Sequence, residues 1–200
     1  MQSFGRPCRR FFDDSSLVHR RGCAFTVEIR SMGTSPAFDP QSFRIERYDQ
    51  LDLQCPAVLV DPDPIANQAN FVAMVHMAFG WHWVGFYRVQ GQELVLGPFQ
   101  GPVACTRLHK GKGVCAAAWE RNEAVVVRDV EAFPGHVACS PLSRSELVLP
   151  VRDDQGQVRA VFDIDSALIG DFDNADALRM QRLIDAVSLA LLESPQRDRP

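Results

Sequence analysis

Two pairs of segments with strong β-strand character constrain the fold of this chain more than any other feature of its sequence. Each pair flanks a short polar turn that contains glycine, at Gln90-Gly91-Gln92 and at Asp153-Asp154-Gln155-Gly156. The flanking segments are WVGFYRV (83–89) with ELVLGPF (93–99), and ELVLPVR (146–152) with VRAVFDID (158–165). Because β-branched and aromatic residues favour strands and such turns join antiparallel neighbours, the sequence predicts two β-hairpins in one sheet.

Helical patterns surround these hairpins. The first covers 64–79, where Pro62 and Pro64 suit a helix start and apolar positions repeat with helical spacing. We place its apolar stripe at Ile65, Ala69, Val72, Ala73 and His76, the last as a partly buried helix residue rather than a ligand. A short helix is predicted within 111–122, a β-rich segment at 124–130 and a final helix over roughly 174–192. This order predicts an α/β fold, with helices packed against a mainly antiparallel central sheet.

Length and charge limit what such a domain binds. The 200 residues are 46% apolar, enough for one sizeable core, and the net charge of -4 gives no broad basic field for nucleic acid or an anionic membrane. No apolar run approaches the roughly 20 residues that cross a bilayer, and the N-terminus has no secretion signal. We therefore expect a cytoplasmic protein that binds a small polar ligand.

The chain divides into three parts by composition. Residues 1–40 contain several arginines and little periodicity, and we expect a disordered extension or a misassigned start upstream of Met32. We expect residues 41–195 to form the catalytic domain and 196–200 to form a tail.

The cysteines divide by placement. The six are too few for a disulfide scaffold and contain no C-x-x-C pair, so no metal site is predicted. Cys55 fits a small buried hydrophobe, whereas Cys139 lies in a polar loop. Cys105 and Cys115 lie in connecting segments beside basic residues such as Lys112, which would favour a thiolate. Placement alone leaves both a redox role and an incidental one open.

Carboxylates accumulate on one side of the last predicted strand. Period-two alternation puts Asp163 and Asp165 on the same face, and Glu146 at the start of the preceding strand can join them. Two neighbouring anions repel unless they are solvated or bridged by a cation. The pattern is therefore typical either of a solvated strand end or of a site for a cationic group.

Three further residues have two interpretations each. Trp83 and Tyr87 share a strand face with Gly85 between them, which suits an aromatic wall over a ligand and core packing equally. His136 precedes Cys139 by three residues, as in a Cys/His nucleophile pair. Because no third orienting residue is implied, we favour His136 as a residue that holds the turn.

Together, several of these segments closely resemble the free methionine-(R)-sulfoxide reductase family, which is built on a GAF domain. The resemblance covers roughly residues 64–192, in one order and at compatible spacing. The segments are WVGFY (83–87), ELVLGPFQG (93–101), GKGVC (111–115), DVEAFPGHVAC (129–139), SRSELVLPV (143–151) and FDIDS (162–166). The fold it implies is a GAF-like α/β domain.

The resemblance implies a role for three cysteines. Cys139 matches the catalytic cysteine, which takes the sulfoxide oxygen as a sulfenic acid and then forms an intramolecular disulfide. Cys105 and Cys115 match the cysteines that resolve or relay it, and which acts first stays open, with Cys105 preferred. Thioredoxin is the implied reductant and no cofactor is implied, in keeping with a role in oxidative stress. A homodimer is a further expectation.

The resemblance also implies how the substrate, free methionine-(R)-sulfoxide, is held. The aromatics Trp83 and Tyr87 would surround its methyl group. The acids that would bind it and help protonate its oxygen are Glu146, Asp163 and Asp165. The backbone amides that would face the sulfoxide oxygen are those of Val137, Ala138 and Cys139.

The chain departs from the family pattern at a few positions. Ser140 stands where an aspartate is expected, and Trp119 lies in a stretch of usually small residues. The first departure can alter the reactivity of Cys139. Because GAF folds host many functions, a non-catalytic sensor of a small molecule is the main alternative, and a peroxide-sensing thiol protein is another.

Overall fold

A six-stranded sheet with four helices forms the part of the chain that the computed structural model describes, residues 44–137 and 139–192. The helices are α1 (Arg44–Val58), α2 (Pro64–Phe79), α3 (Gly113–Arg121) and α4 (Asn174–Leu191). The strands are β1 (Trp83–Gln90), β2 (Glu93–Gln100), β3 (Arg107–His109), β4 (Val125–Val127), β5 (Ser145–Arg152) and β6 (Val158–Ser166). The predicted extension (1–40) and tail (196–200) lie outside the described residues.

The strands follow the order β3-β2-β1-β6-β5-β4, and every neighbouring pair is antiparallel. Both predicted hairpins are confirmed. In the first, Gln90 pairs with Glu93 across a two-residue turn in which Gly91 has a φ of 63°. That left-handed conformation suits glycine because it has no Cβ. The predicted fold class, a mainly antiparallel sheet with helices packed on it, is also confirmed.

One face of the sheet carries the main hydrophobic core beneath α1, α2 and α4. Phe162 of β6 lies at its centre, fully buried, with its ring 5.0 Å from that of Phe71 in α2 and 4.8 Å from that of Phe86 in β1. Cys55 is also fully buried here, as predicted. This face therefore supplies stability and leaves the other face free for different chemistry.

The opposite face holds a smaller core. Tyr87, Val148 and Val161 point to this side from the central strands, and α3 covers part of it. Because side chains alternate along a strand, β1, β5 and β6 each contribute one set of residues to each face. The remainder of this second face opens into a pocket.

The apolar stripe predicted for α2 is wrong at two positions. Ile65 and Ala69 are exposed, and the buried side of α2 instead includes the polar residues Asn67 and Gln68. Asn67 Nδ2 donates to the carbonyl of Ala190 at 2.9 Å, and Gln68 Nε2 donates to that of Leu191 at 2.6 Å. Hydrogen bonds to the end of α4 make these polar side chains part of the packing, which a hydrophobic pattern does not detect.

Helix α1 and strand β3 were not predicted from the sequence. Helix α1 buries Tyr48, Leu51 and Cys55 at helical spacing, but Pro56 in its last turn and its otherwise polar composition hide the pattern. Strand β3 has only three residues and forms through its pairing with β2.

No helix in the described ranges is long and apolar enough to span a bilayer.

Replacing Phe162 with alanine should destabilise the domain by about 3–5 kcal/mol, because a large cavity would form between Phe71 and Phe86. The matched control is Leu53→Ala on the exposed side of α1, where a change within about 0.5 kcal/mol is expected. Urea denaturation followed by circular dichroism measures both. Equal losses in the two variants would contradict the assignment of Phe162 to the centre of the core.

Candidate active site

The pocket lies on the second face of the sheet, where three strands bring acidic and aromatic side chains together. Trp83 of β1 and Glu146 of β5 both pair with Asp165 of β6, and Gly85 pairs with Asp163. Residues paired across antiparallel strands point to the same face. All three acids and both predicted aromatics therefore line one pocket, along with Cys115 and Cys139.

Glu146 and Asp163 form a buried hydrogen-bonded acid pair. Burial raises the pKa of Glu146 well above its ordinary value, and the charge of Asp165 adds to this rise. Burial also raises the pKa of Asp163, with further contributions from the charges of Asp165 and Glu146. Burial and the mutual repulsion of the three carboxylates therefore both favour the protonated form of this pair.

Asp165 is the third acid and has the more polar surroundings. Burial raises its pKa to about 6, while a hydrogen bond with Ser143 and the charge of His136 oppose the rise. Asp165 therefore ionises more readily than the other two acids. The cluster combines a proton donor with a negative charge in one pocket.

One acidic oxygen in the pocket lacks a partner. Asp163 Oδ1 is buried and accepts no hydrogen bond from any residue in the described part of the chain. Buried polar atoms are almost always paired, and an unpaired carboxylate oxygen costs free energy. This oxygen is suited to accept a hydrogen bond from a cationic group of a ligand.

The aromatic wall is held by stacking. The ring of Trp83 stacks on Tyr87 at 5.9 Å and on Phe99 at 5.5 Å, and its Nε1 donates to the carbonyl of Pro102 at 3.1 Å. Gly85 makes room for this arrangement, since a Cβ there would lie 2.5 Å from the Trp83 ring. Core packing and a wall over the pocket, the two interpretations of these aromatics, are thus both realised in the same residues.

Tyr87 also links the wall to a cysteine loop. Its hydroxyl donates to the carbonyl of Cys105 at 3.0 Å. Burial raises the pKa of Tyr87, and the charge of Asp163 raises it further, so the hydroxyl remains a donor. This hydrogen bond fixes the loop before β3 against the part of the pocket that Tyr87 lines.

The three cysteines occupy different environments. Cys105 and Cys139 form a disulfide with a Cα–Cα distance of 5.6 Å, which is within the usual range. Cys115 is a free, buried thiol that is hydrogen-bonded to Asp163. Burial raises its pKa well above the ordinary value, and the charges of Asp163 and Glu146 add to this. The prediction that Lys112 favours a thiolate at Cys115 is therefore wrong, because this thiol faces carboxylates.

The loop around Cys139 contains residues whose contacts were not predicted. His136 Nε2 lies 3.5 Å from Glu146 Oε2. Ser140 Oγ, at the position of an expected aspartate, lies 3.0 Å from His82 Nε2 and accepts from the Leu142 amide at 3.3 Å. These contacts tie the loop to β5 and to the start of β1.

The structure describes only part of the segment whose backbone amides were predicted to face the sulfoxide oxygen. Val137 lines the pocket, while Ala138 lies outside the described residues. Sequence spacing indicated His136 as a neighbour of Cys139, whereas no role was predicted for Ser143, the first residue of the SRSELVLPV segment. Its hydrogen bond with Asp165 depends on how the loop returns to β5.

Cys115, Glu146 and Asp163 also have ligand atoms within 4.8 Å of one another, a spacing that a metal ion requires. Hydrogen bonds already join these groups, and their raised pKa values mean that a cation would have to displace protons. The donor set therefore suits proton chemistry better than metal binding.

Known proteins are similar to this chain in sequence and fold. The GAF domain family profile matches residues 69–192. The free methionine-R-sulfoxide reductase of Escherichia coli is 44% identical over 121 residues, covering 60% of this chain and 73% of that protein. The chain belongs to this reductase family within the GAF domain proteins. The resemblance inferred from the sequence motifs is confirmed.

Two other members of the GAF group show how far the similarity extends. GAF domain-containing protein A of Dictyostelium discoideum is 46% identical over 141 residues, covering 70% of this chain and 89% of that protein. The free methionine-R-sulfoxide reductase of Neisseria meningitidis, solved in complex with its substrate, has a TM-score of 0.74 and 44% identity. That match covers 78% of this chain and 93% of the Neisseria chain. Most of the Neisseria chain therefore has a counterpart in this one.

Asp165→Asn should flatten the pH dependence of stability of this GAF domain between about pH 4 and pH 6. In the unfolded chain an aspartate ionises near pH 4, whereas folded Asp165 has a pKa of about 6. Between these values the folded state holds a proton that the unfolded state has lost, so the free energy of unfolding falls as pH rises. The variant should avoid a loss on the order of 3 kcal/mol.

Urea denaturation of the oxidised protein at several pH values measures this difference. Asp154→Asn, in the exposed turn of the second hairpin, is the matched control and should follow the wild type. A parallel fall in Asp165→Asn and wild type would show that Asp165 titrates like an exposed aspartate.

Proposed function

We propose that this chain reduces free methionine-(R)-sulfoxide to methionine, with Cys139 as the nucleophile. The observation that carries the proposal is that Cys139, disulfide-bonded to Cys105, lines the pocket that also holds the buried Glu146–Asp163 acid pair. A redox-active thiol beside a buried acid is what sulfoxide reduction requires. Membership in the reductase family, including a relative solved with its substrate, supports the same reaction.

The pocket provides complementary groups for each part of a free amino acid. The unpaired Asp163 Oδ1 and the more readily ionised Asp165 would accept the substrate ammonium group. The ring of Trp83 would contact the methyl group on sulfur. A peptide-bound methionine sulfoxide has no ammonium group and would leave the buried Asp163 oxygen unpaired, so selectivity for the free amino acid follows.

The proposed reaction is a two-electron exchange between sulfur atoms. Glu146 donates its proton to the sulfoxide oxygen, and the thiolate of Cys139 attacks the sulfur that this protonation makes electrophilic. The oxygen with its proton passes to Cys139, which becomes a sulfenic acid, and methionine is released. Cysteine sulfur is oxidised by two electrons and methionine sulfur is reduced by two.

Cys105 is the resolving thiol in this proposal. Its attack on the Cys139 sulfenic acid forms the disulfide and releases water. Support comes from the bond that joins these two residues, whereas Cys115 is a protonated thiol within the acid cluster. Thioredoxin, a dithiol protein of low reduction potential, would then reduce the disulfide and restore both thiols.

Cysteine variants should separate these roles. With thioredoxin as reductant, Cys139→Ser should lose turnover by about 10³-fold or more because the nucleophile is absent. Cys105→Ser should release one methionine per chain and then stop with a sulfenic acid that dimedone traps. Cys115→Ser is the matched control and should continue to turn over. The measurement is methionine release from purified protein with free methionine-(R)-sulfoxide.

Two outcomes would overturn parts of this proposal. Full turnover by Cys139→Ser would show that the nucleophile is wrong. If wild type released no methionine from the (R)-sulfoxide, the non-catalytic GAF sensor would become the better interpretation.

Glu146→Gln should lower kcat by about 10²–10³-fold with little change in KM, because glutamine keeps the shape of the side chain but cannot donate the proton. Wild-type activity should decline as pH rises through the raised pKa of Glu146, since the protonated form is the active one. That descending limb should be missing from the variant. Glu123→Gln on the surface is the matched control, and an unchanged kcat in Glu146→Gln would exclude this acid as the donor.

A further inference from the structure

Glu146 must regain a proton in every catalytic cycle, and its surroundings restrict where that proton can come from. Its side chain is only 8% exposed, and its acidic neighbour Asp163 belongs to the same buried cluster. Asp163 is in turn hydrogen-bonded to the Cys115 thiol, whose pKa burial raises. All three groups are buried, so a proton that leaves Glu146 has to be replaced from another group in the pocket.

His136 contacts Glu146 from outside this cluster. Its Nε2 lies 3.5 Å from Glu146 Oε2, and its side chain is 16% exposed, against 8% for that of Glu146. The His136 amide donates to the Phe133 carbonyl at 3.1 Å. This turn fixes the backbone position from which the imidazole ring extends. The ring is therefore placed by the loop that also carries Cys139.

The groups around His136 suit proton transfer. An imidazole can accept a proton on one nitrogen while the other donates. Carboxylates of two strands face its ring, Glu146 of β5 and Asp165 of β6. The other ionisable groups that line the same pocket are Lys112 at the start of α3, Cys115 on α3, Tyr87 of β1 and Asp163 of β6.

We propose that His136 carries the thiol proton of Cys139 to Glu146 during sulfoxide reduction. This inference rests on the proposed function and adds the proton path to it. Cys139 gives its proton to His136 and becomes the attacking thiolate, while Glu146 gives its own proton to the sulfoxide oxygen. His136 then protonates the Glu146 carboxylate and returns to its neutral form.

The proton balance closes within one turnover. One methionine sulfoxide and the Cys139 thiol yield one methionine and the Cys139 sulfenic acid. The proton on the sulfenic acid comes from Glu146, and the thiol proton replaces it through His136. No proton from solvent and no additional reductant is needed for this step.

A single-turnover experiment with imidazole rescue tests the path. Fully reduced protein in excess is mixed with free methionine-(R)-sulfoxide and quenched, so that methionine release reports the chemical step without thioredoxin. His136→Ala should react about 10²-fold more slowly than wild type, with half-saturation by substrate nearly unchanged. Added imidazole should restore the rate at least about 10-fold in a saturable manner, since a free ring can occupy the space left by the side chain.

His109 provides the matched control, because it pairs with a glutamate outside the pocket. Its Nδ1 lies 3.2 Å from Glu93 Oε1 on the exposed β2–β3 edge. His109→Ala should react at the wild-type rate and show no response to imidazole. His136→Asn, which keeps a polar side chain in the turn but cannot carry a proton, should be as slow as His136→Ala.

The possible outcomes decide between a proton carrier and a residue that only holds the turn. A wild-type rate in His136→Ala, or a rate in His136→Asn close to that of wild type, would overturn the proposal. So would a slow His136→Ala that imidazole does not accelerate. If His136→Ala does not fold, judged by circular dichroism, the rate and pH profile of His136→Asn decide. Absence of methionine release by wild type would instead reject the proposed function itself.

Discussion

The burial of three carboxylates on one face of the sheet is the constraint on which the rest of the structure depends. Glu146, Asp163 and Asp165 cannot all ionise in this space, because burial and mutual repulsion both favour their protonated forms. The protonated form is therefore favoured most strongly in the hydrogen-bonded pair, and the third acid carries charge more readily. A carboxylic acid with an ordinary pKa is ionised near neutral pH and has no proton to donate. Burial raises the pKa of these acids and so favours the protonated form that the proposed reaction needs.

The two faces of the sheet divide stability and chemistry between them. Phe71, Phe86 and Phe162 pack beneath three helices on one face and contain no polar atoms that need partners. On the other face, the buried acids and an unpaired carboxylate oxygen oppose stability. Functional sites commonly carry such unfavourable groups, which the remainder of the fold must offset.

The sequence predicted local features of this arrangement well and long-range ones poorly. Alternation along β6 placed Asp163 and Asp165 on one face, because the period of a strand is a local property. The stripe assigned to α2 was wrong because Asn67 and Gln68 are buried by hydrogen bonds to a distant helix. The contact of His136 with Glu146 depends on how a loop returns to the sheet, and no residue spacing encodes that path.

The environments of the thiols show why identical side chains perform different tasks in one pocket. Cys105 and Cys139 lie on loops and are half-buried, so in the proposed reaction the thiolate of a reductant can reach their disulfide. Cys115 is anchored in α3 and faces Asp163, so ionising it would add a negative charge to a cluster that already holds too many. Since the thiolate is the nucleophile, the acids that would protonate the substrate in the proposed reaction also keep this thiol from competing with Cys139.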